Sequence, residues 1–214
     1  ARIKLEIFDQ YLYNVPVAPD SSFSMLNFVQ DWTFNEALVN EGKGRNYGVE
    51  LTLERFLSGG YYYLFTGTVY DSRYRGGDGE WRNTRFDQGF AFNLLGGKEF
   101  IWDEGRKVLG LNGRISYVGG ERHSPVDQQA SRLAEQAEFV EQRAFEEQFP
   151  NRLIADLTVT YRINRSNHSS VWALQVKNVL MEKDLLYDYN FKTNQVDLVE
   201  EGTPVPVFSY KIEF

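Results

Sequence analysis

The sequence predicts an all-β protein: an antiparallel transmembrane β-barrel segment of about eight strands. Three observations predict this class. Most predicted strands have one apolar and one polar face, the connections alternate between long and short, and the polar faces carry too many charges for a dry core. Short turns on one side of the membrane and long loops on the other are typical of outer-membrane barrels, so we expect short periplasmic turns and long extracellular loops.

Composition supports strands and turns and excludes several functions. The 214 residues include 18 Gly but only 2 Met, and 15% of them are aromatic. Without Cys there is no disulfide or thiolate chemistry, and a net charge of -7 argues against a nucleic-acid partner. The mean hydropathy is -0.46, and no apolar run approaches the roughly 20 residues of a spanning helix. Barrel strands do not need such a run.

The last seven residues show the alternation most clearly. Phe208, Tyr210, Ile212 and Phe214 fall on one face of a strand, and Ser209, Lys211 and Glu213 fall on the other. We expect the first set to face lipid and the second to face the lumen, with Phe214 at the same end as the turn at 58–60. A one-residue slip would bury Lys211 in hydrocarbon at about 2–4 kcal/mol near the midplane. A buried edge strand of a soluble sandwich remains an alternative for this stretch.

Seven further strands are predicted upstream. They cover residues 2–14, 46–56, 61–74, 85–102, 109–117, 153–162 and 171–179. Long connections are expected at 15–45, 76–84, 119–151 and 181–206, and short turns at 58–60, 103–105 and 164–169. The loop at 119–151 contains one helix candidate, residues 126–147, whose acidic side chains we expect to form a solvated face: Glu135, Glu138, Glu141, Glu146 and Glu147.

Aromatic residues cluster near the predicted strand ends, as in the aromatic belts of membrane proteins. One predicted belt, at the short-turn end, comprises Tyr61, Tyr62, Phe100, Trp102, Trp172 and Phe214. The other, at the loop end, comprises Tyr11, Tyr13, Tyr70, Tyr74 and Tyr117. A general preference of strands for aromatic residues is the simpler alternative.

Several segments together resemble the late strands of TonB-dependent outer-membrane receptors. They are residues 44–54 (GRNYGVELTLE), 66–74 (TGTVYDSRY), 93–100 (NLLGGKEF), 174–179 (LQVKNV) and 210–214 (YKIEF). The resemblance implies part of a barrel of about 22 strands. It also implies uptake of a scarce nutrient of the siderophore, cofactor, glycan or peptide class into the periplasm.

The resemblance implies that residues 1–214 are the C-terminal part of the barrel domain, with the plug domain and the N-terminal strands outside this chain. The chain opens within a strand, and residues 1–4 show no signal peptide, so we expect an N-terminal part to be missing. The implied partners are outer-membrane lipid, the other strands and the plug, a TonB-type energy-coupling protein through the N-terminal part, and a surface lipoprotein. The implied location is the bacterial cell outer membrane. The alternative is a self-contained eight-stranded structural or adhesive barrel, in which residues 2–14 would pair with 205–214.

Few residues suggest chemistry. His123-Ser124 could supply a base and nucleophile for a barrel hydrolase, but the strained Gly-x-Ser-x-Gly turn is absent, and we expect His123 and His168 to face solvent. Residues 76–80 (GGDGE) offer oxygen ligands without the spacing of a calcium loop. We therefore predict no enzyme activity, no cofactor and no metal site, and assign no catalytic or binding residue. The predicted lumen charges are left open between a solvated surface and a plug or pathway contact: Glu50, Glu54, Arg114, Asp156 and Arg162.

Overall fold

Period-two alternation along most of the chain produces long antiparallel strands. The structure, a computed structural model, describes residues 1–29 and 37–214. Its strands are β1 (Arg2–Val17), β2 (Val39–Ser58), β3 (Tyr61–Arg75), β4 (Trp81–Asn83), β5 (Phe90–Trp102), β6 (Lys107–Val118), β7 (Arg122–His123), β8 (Glu147–Gln148), β9 (Arg152–Asn164), β10 (Ser169–Lys177), β11 (Asp184–Asn190), β12 (Gln195–Glu201) and β13 (Val205–Glu213). One short helix, α1 (Gln128–Ala134), and 3-10 turns at Met25–Asn27 and Glu141–Arg143 complete the described elements.

The main sheet follows the chain order β1-β2-β3-β5-β6-β9-β10-β13, and each strand is antiparallel to its neighbours. Strand β4 pairs with the end of β3, while β7–β8 and β11–β12 form two small ladders outside the main sheet. The prediction of an all-β, antiparallel fold is confirmed. Within the described ranges β1 and β13 do not pair with each other, so the path through the sheet ends at these two strands.

Connection lengths alternate as predicted. The turn between β2 and β3 has only Gly59 and Gly60, whose φ angles of 63° and 80° suit glycine. The turns 103–106 and 165–168 are also short. The long connections all lie at the opposite end of the sheet, because antiparallel neighbours place successive connections at alternate ends. We call the long segments at that end the loop cap: residues 18–29, 76–89, 119–151 and 178–204.

Strand β1 extends to Val17 and β2 begins at Val39, so the connection predicted at 15–45 was wrong at both of its ends. Two glycines in this part of β2 allow close packing: a Cβ on Gly42 would lie 2.8 Å from the Val15 carbonyl oxygen, and one on Gly44 would lie 2.7 Å from Leu26 Cδ1. Residues 15–17 continue β1 and pair with β2 as far as Val39.

Other boundaries also differ from the prediction. The strand predicted from residue 85 begins at Phe90, because Thr84 folds back and its amide donates to the Ser72 carbonyl at 2.8 Å. The predicted helix at 126–147 is confined to α1, and Glu135 ends it with a left-handed φ of 54°. The hairpin β11–β12 lies inside the long connection predicted at 181–206.

The strand registers place two chemically different faces on the main sheet. The apolar face carries Ile3, Leu5, Ile7, Val49, Leu51, Leu53, Phe65, Val69, Phe92, Leu94, Leu111, Ile115, Leu153, Leu157, Val159, Leu174, Phe208, Tyr210 and Ile212. The polar face carries Lys4, Glu6, Glu50, Thr52, Thr66, Thr68, Ser72, Asn93, Arg114, Ser116, Asp156, Thr158, Thr160, Gln175, Lys177, Ser209 and Lys211. The predicted alternation of the last strand is part of this pattern.

The buried apolar side chains lie away from the middle of the main sheet. They belong to the loop cap or to strand ends beside it: Val15, Val17, Ala18, Tyr74, Ala144, Tyr189 and Val196. Gln128 joins two parts of the cap, since its side chain donates to the Val196 carbonyl at 2.9 Å and accepts from the Val196 amide at 3.0 Å. The hydrophobic core of the described chain therefore lies in the cap.

Candidate functional site

The apolar face is exposed or half-buried across the main sheet. On this face Leu111, Val159 and Leu174 occupy directly opposed positions on three neighbouring strands, β6, β9 and β10. Their exposed fractions are 44%, 43% and 49%. Soluble monomers rarely expose a continuous apolar surface larger than a few hundred Å². A surface of this extent requires an apolar environment or partner to cover it.

The polar face is more enclosed than the apolar face. Neighbours in β9 show the contrast, since Asp156 is 6% exposed and Leu157 is 55% exposed. Thr52, Ser72 and Ser116 are also buried on the polar face. This inverts the arrangement of a water-soluble sheet, in which the apolar side chains are enclosed and the polar ones face solvent.

A depression of about 280 Å³ lies on the polar face across β5, β6, β9 and β10. Its lining includes Leu95, Asn112, Arg114, Asp156, Thr158, Gln175 and Lys177. Arg114 Nη2 lies 2.8 Å from Asp156 Oδ2, and the Asn178 amide donates to Asp156 Oδ1 at 2.9 Å. Arg114 and Lys177 thus face a single carboxylate, which favours an anionic or hydrogen-bonding group in the depression.

The structure brings together some of the predicted lumen charges. Arg114 and Asp156 form the ion pair in the depression. Glu54 instead pairs with Arg2 at 3.5 Å, and Arg162 pairs with Glu213 at 3.5 Å. The first of these pairs links the neighbouring strands β1 and β2, and the second links β9 to β13 across β10. The charges are therefore distributed along the polar face and do not converge on one centre.

Two of the aromatic residues predicted at the short-turn end, Trp102 and Trp172, belong to a row of adjacent rings. Trp102, Tyr161, Trp172 and Tyr210 form a row on the apolar face, with successive ring centroids 6.2, 6.0 and 5.3 Å apart. Tyr161 and Tyr210 were not predicted as belt residues. Their parity, which places them on the apolar face of their strands, was the signal that could have identified them.

Three tyrosines assigned to the belts do not belong to them. All three are even-numbered residues of β3, which lie on the polar face: Tyr62, Tyr70 and Tyr74. The Tyr62 hydroxyl donates to Asn112 Oδ1 at 2.7 Å, the Tyr70 hydroxyl donates to the Phe86 carbonyl at 2.8 Å, and Tyr74 is fully buried. Their positions along the strand suggested a belt, but their parity places them on the opposite face.

His123 is not the solvent-facing residue that was predicted. Its side chain is 13% exposed, and its ring centroid lies 4.2 Å from that of Phe149 and 5.2 Å from that of Tyr187. Its Nδ1 lies 3.2 Å from the Ser124 carbonyl, whereas Ser124 Oγ accepts from the Phe145 amide at 3.1 Å. The pair is therefore not arranged as base and nucleophile.

The remaining candidate groups are held by local partners. His168 lies in the turn 165–168 and contacts Arg165 at 2.9 Å through Nε2. In the glycine-rich loop, the Asp78 carboxylate pairs with Arg82 at 2.7 Å and accepts from the Glu80 amide at 3.1 Å. The described ranges contain no cluster of His, Cys, Asp or Glu that could hold a metal ion.

The prediction of a purely solvated acidic face is wrong for Glu141, which joins two segments of the cap by hydrogen bonds. Its Oε1 accepts from Ser21 Oγ at 2.6 Å and from the Ser22 amide at 2.8 Å. These two hydrogen bonds lower the pKa of Glu141 below its usual range, against a smaller opposing effect of burial. The folded cap therefore favours the ionised form.

Replacing Glu141 by Gln should loosen this contact and remove its pH dependence. Because the pKa of Glu141 is lower in the folded cap, its contribution is present above the unfolded pKa and is lost as the pH falls through the folded value. After correction for intrinsic rates, we expect hydrogen exchange of the Ser22 amide in the parent chain to be slow at neutral pH and to accelerate as the pH falls below the usual glutamate range. In E141Q the exchange should be fast at neutral and at acidic pH, while E135Q, at an exposed site, should behave like the parent. Protection that stays unchanged in E141Q would contradict this role.

The fold and surfaces together define an all-β protein with an exposed apolar face, an enclosed polar face and a cap built from long loops. No helix within residues 1–29 and 37–214 has the length and apolar character needed to cross a membrane. No protein-family model, curated protein or solved structure matches the chain.

Proposed function

We propose that this chain is a transmembrane part of an outer-membrane transport protein, namely the C-terminal portion of the β-barrel of a TonB-dependent receptor. The observation that carries the proposal is the inversion of the two sheet faces. Leucine, valine and isoleucine side chains are exposed along the strands, while threonine, serine and aspartate side chains are enclosed. Lipid around the apolar face and water within the lumen satisfy both faces at once.

The connections give the proposed orientation. The long connections would lie outside the cell and the short turns in the periplasm, as in outer-membrane barrels generally. Phe214, whose ring centroid lies 6.3 Å from that of His168 in a short turn, would then lie at the periplasmic interface. The row from Trp102 to Tyr210 would form the aromatic belt at that interface.

The ends of the main sheet favour a segment of a larger barrel. Each end strand, β1 and β13, leaves one row of backbone donors and acceptors without a strand partner among the described residues. Unpaired backbone groups are costly in a bilayer, so each strand would require another strand beside it. In this proposal, the remaining strands of the receptor supply those neighbours, whereas a self-contained eight-stranded barrel would require β1 to pair with β13.

The proposed function is import of a scarce nutrient into the periplasm without chemical change to it. The loop cap would capture the nutrient, and a plug domain would contact the polar face, where the depression beside Arg114 and Lys177 favours an acidic group. Energy would come through a TonB-type partner that binds elsewhere in the receptor. A surface lipoprotein over the cap is a further proposed partner.

Reconstitution of the 214-residue chain into phosphatidylcholine vesicles tests the membrane proposal. We expect the chain to float with the vesicles and to give a β-rich circular dichroism spectrum. The strands should resist added protease while the cap is cleaved. A soluble β-protein of similar size serves as the control. Purification as a stable monomer from detergent-free buffer, with a cooperative thermal transition, would overturn the proposal.

A further inference from the structure

Like charges lie opposite each other at the loop end of the apolar face. Arg45 of β2 is directly opposite Arg73 of β3, and Lys43 is directly opposite Arg75. We call this group the cationic margin: Lys43, Arg45, Arg73 and Arg75. Directly opposed like charges destabilise a strand pair, so the arrangement is unfavourable unless an anion lies between them.

The nearby carboxylates neutralise only part of this charge. Arg45 pairs with Asp9 at 3.0 Å, and Arg73 pairs with Asp71 at 2.9 Å. Lys43 and Arg75 form no ion pair within the described part of the chain, although Arg75 Nε donates to the Gly79 carbonyl at 2.8 Å. The margin therefore keeps an excess of positive charge.

Aromatic rings and a depression complete the surface. Tyr11, Arg45, Tyr47, Arg73 and Trp81 line a depression of about 470 Å³. The Arg45 guanidinium lies 4.7 Å from the Tyr11 ring centroid and 5.0 Å from that of Tyr47. The rings hold the guanidinium over the face of the sheet, where its remaining N–H groups can reach a bound group.

The margin is continuous with the apolar face. Val49 of β2 lies opposite Ile7 and Val69, and Arg45 is four residues further along the same side of the strand. At about 3.3 Å per residue, the guanidinium row lies about 13 Å beyond this apolar row. A lipid whose chains cover the apolar row would place its head group at the height of the margin.

We propose that the cationic margin binds the phosphate groups of the lipid that covers the apolar face. This inference rests on the proposed membrane location, and it adds a binding surface and a class of ligand. Guanidinium groups suit phosphate because their N–H donors match its oxygens in pairs. Lys43, which is exposed and lacks an ion pair in the described ranges, would supply a mobile second cation.

The test measures head-group selectivity in vesicles. The chain is reconstituted in phosphatidylcholine and titrated with brominated phosphatidylglycerol or brominated phosphatidylcholine, and quenching of tryptophan, including Trp81 in the depression, reports the contact. Each cation near an anionic surface should increase binding about fivefold. The variant K43Q/R75Q should therefore lose most of the preference for phosphatidylglycerol, and K43E, at an exposed position, should reduce it without disturbing the loop contact of Arg75.

The matched control removes the same charge from the opposite end of the apolar face, at Lys98 and Lys107. K98Q/K107Q should keep the preference of the parent chain, and added salt should weaken that preference. No preference in the parent, or equal loss in both double variants, would overturn the proposal. If millimolar inorganic phosphate abolished the preference for phosphatidylglycerol, the surface would be assigned to free phosphate and the lipid assignment would be overturned. Failure of the parent to enter phosphatidylcholine vesicles would overturn the membrane proposal itself, and the lipid site with it.

Discussion

Replacing Leu157 by Arg is expected to destabilise the chain in lipid vesicles by about 2–4 kcal/mol. Leu157 lies near the middle of the apolar positions of β9, directly opposite Gly113 on β6 and Val176 on β10. In a bilayer, an arginine there would enter the hydrocarbon, whereas on a water-exposed surface the change would alter stability by no more than about 0.5 kcal/mol. Equilibrium unfolding in urea with the chain in vesicles measures the difference.

Thr160 provides the matched control on the other face. It belongs to the same strand, β9, and lies opposite two small residues, Gly110 and Ala173. An arginine there would lie on the polar face, so T160R should remain within about 0.5 kcal/mol of the parent chain. Equal tolerance of both variants, or greater damage from T160R, would contradict the assignment of the apolar face to lipid.

Replacing Asp156 by Ala is expected to destabilise the chain by about 1.5–3 kcal/mol, the range for a hydrogen bond to a charged group. The carboxylate is enclosed and accepts from both the Arg114 guanidinium and the Asn178 amide. Removing it leaves the Asn178 amide without its acceptor. The Arg114 side chain is 53% exposed, so it can remain hydrated, and the larger cost of a fully buried unpaired charge does not apply.

Two variants separate these contributions. D156N keeps an oxygen that can accept from the Asn178 amide, so it should lose less than half of the stability that D156A loses. R114Q should cost less than about 1 kcal/mol because the guanidinium is half exposed. Unfolding free energies in vesicles measure all three variants, and a value for D156A within about 0.5 kcal/mol of the parent would contradict the structural role of Asp156.

The sequence by itself determined that the fold is all-β and antiparallel, and which side chains share a face. Strand side chains point to alternate sides, so the parity of a residue fixes its face once the strand is recognised. This rule alone places Phe208, Tyr210 and Ile212 on one face of their strand and Lys211 on the other. The short turn at Gly59 and Gly60 was also predictable, because its conformation depends on two adjacent residues.

Only the tertiary structure decided the strand extents at the loop end and the contacts of the cap. Gly42 and Gly44 resemble loop residues locally, yet they lie within β2 because β1 packs closely against them. Glu141 and Ser21 are 120 residues apart, and no local pattern relates them. The opposition of Arg45 and Arg73 likewise depends on the register between two strands. Local alternation sets the direction of each side chain, but register and loop packing are set by contacts between distant segments, and only the folded chain brings those segments together.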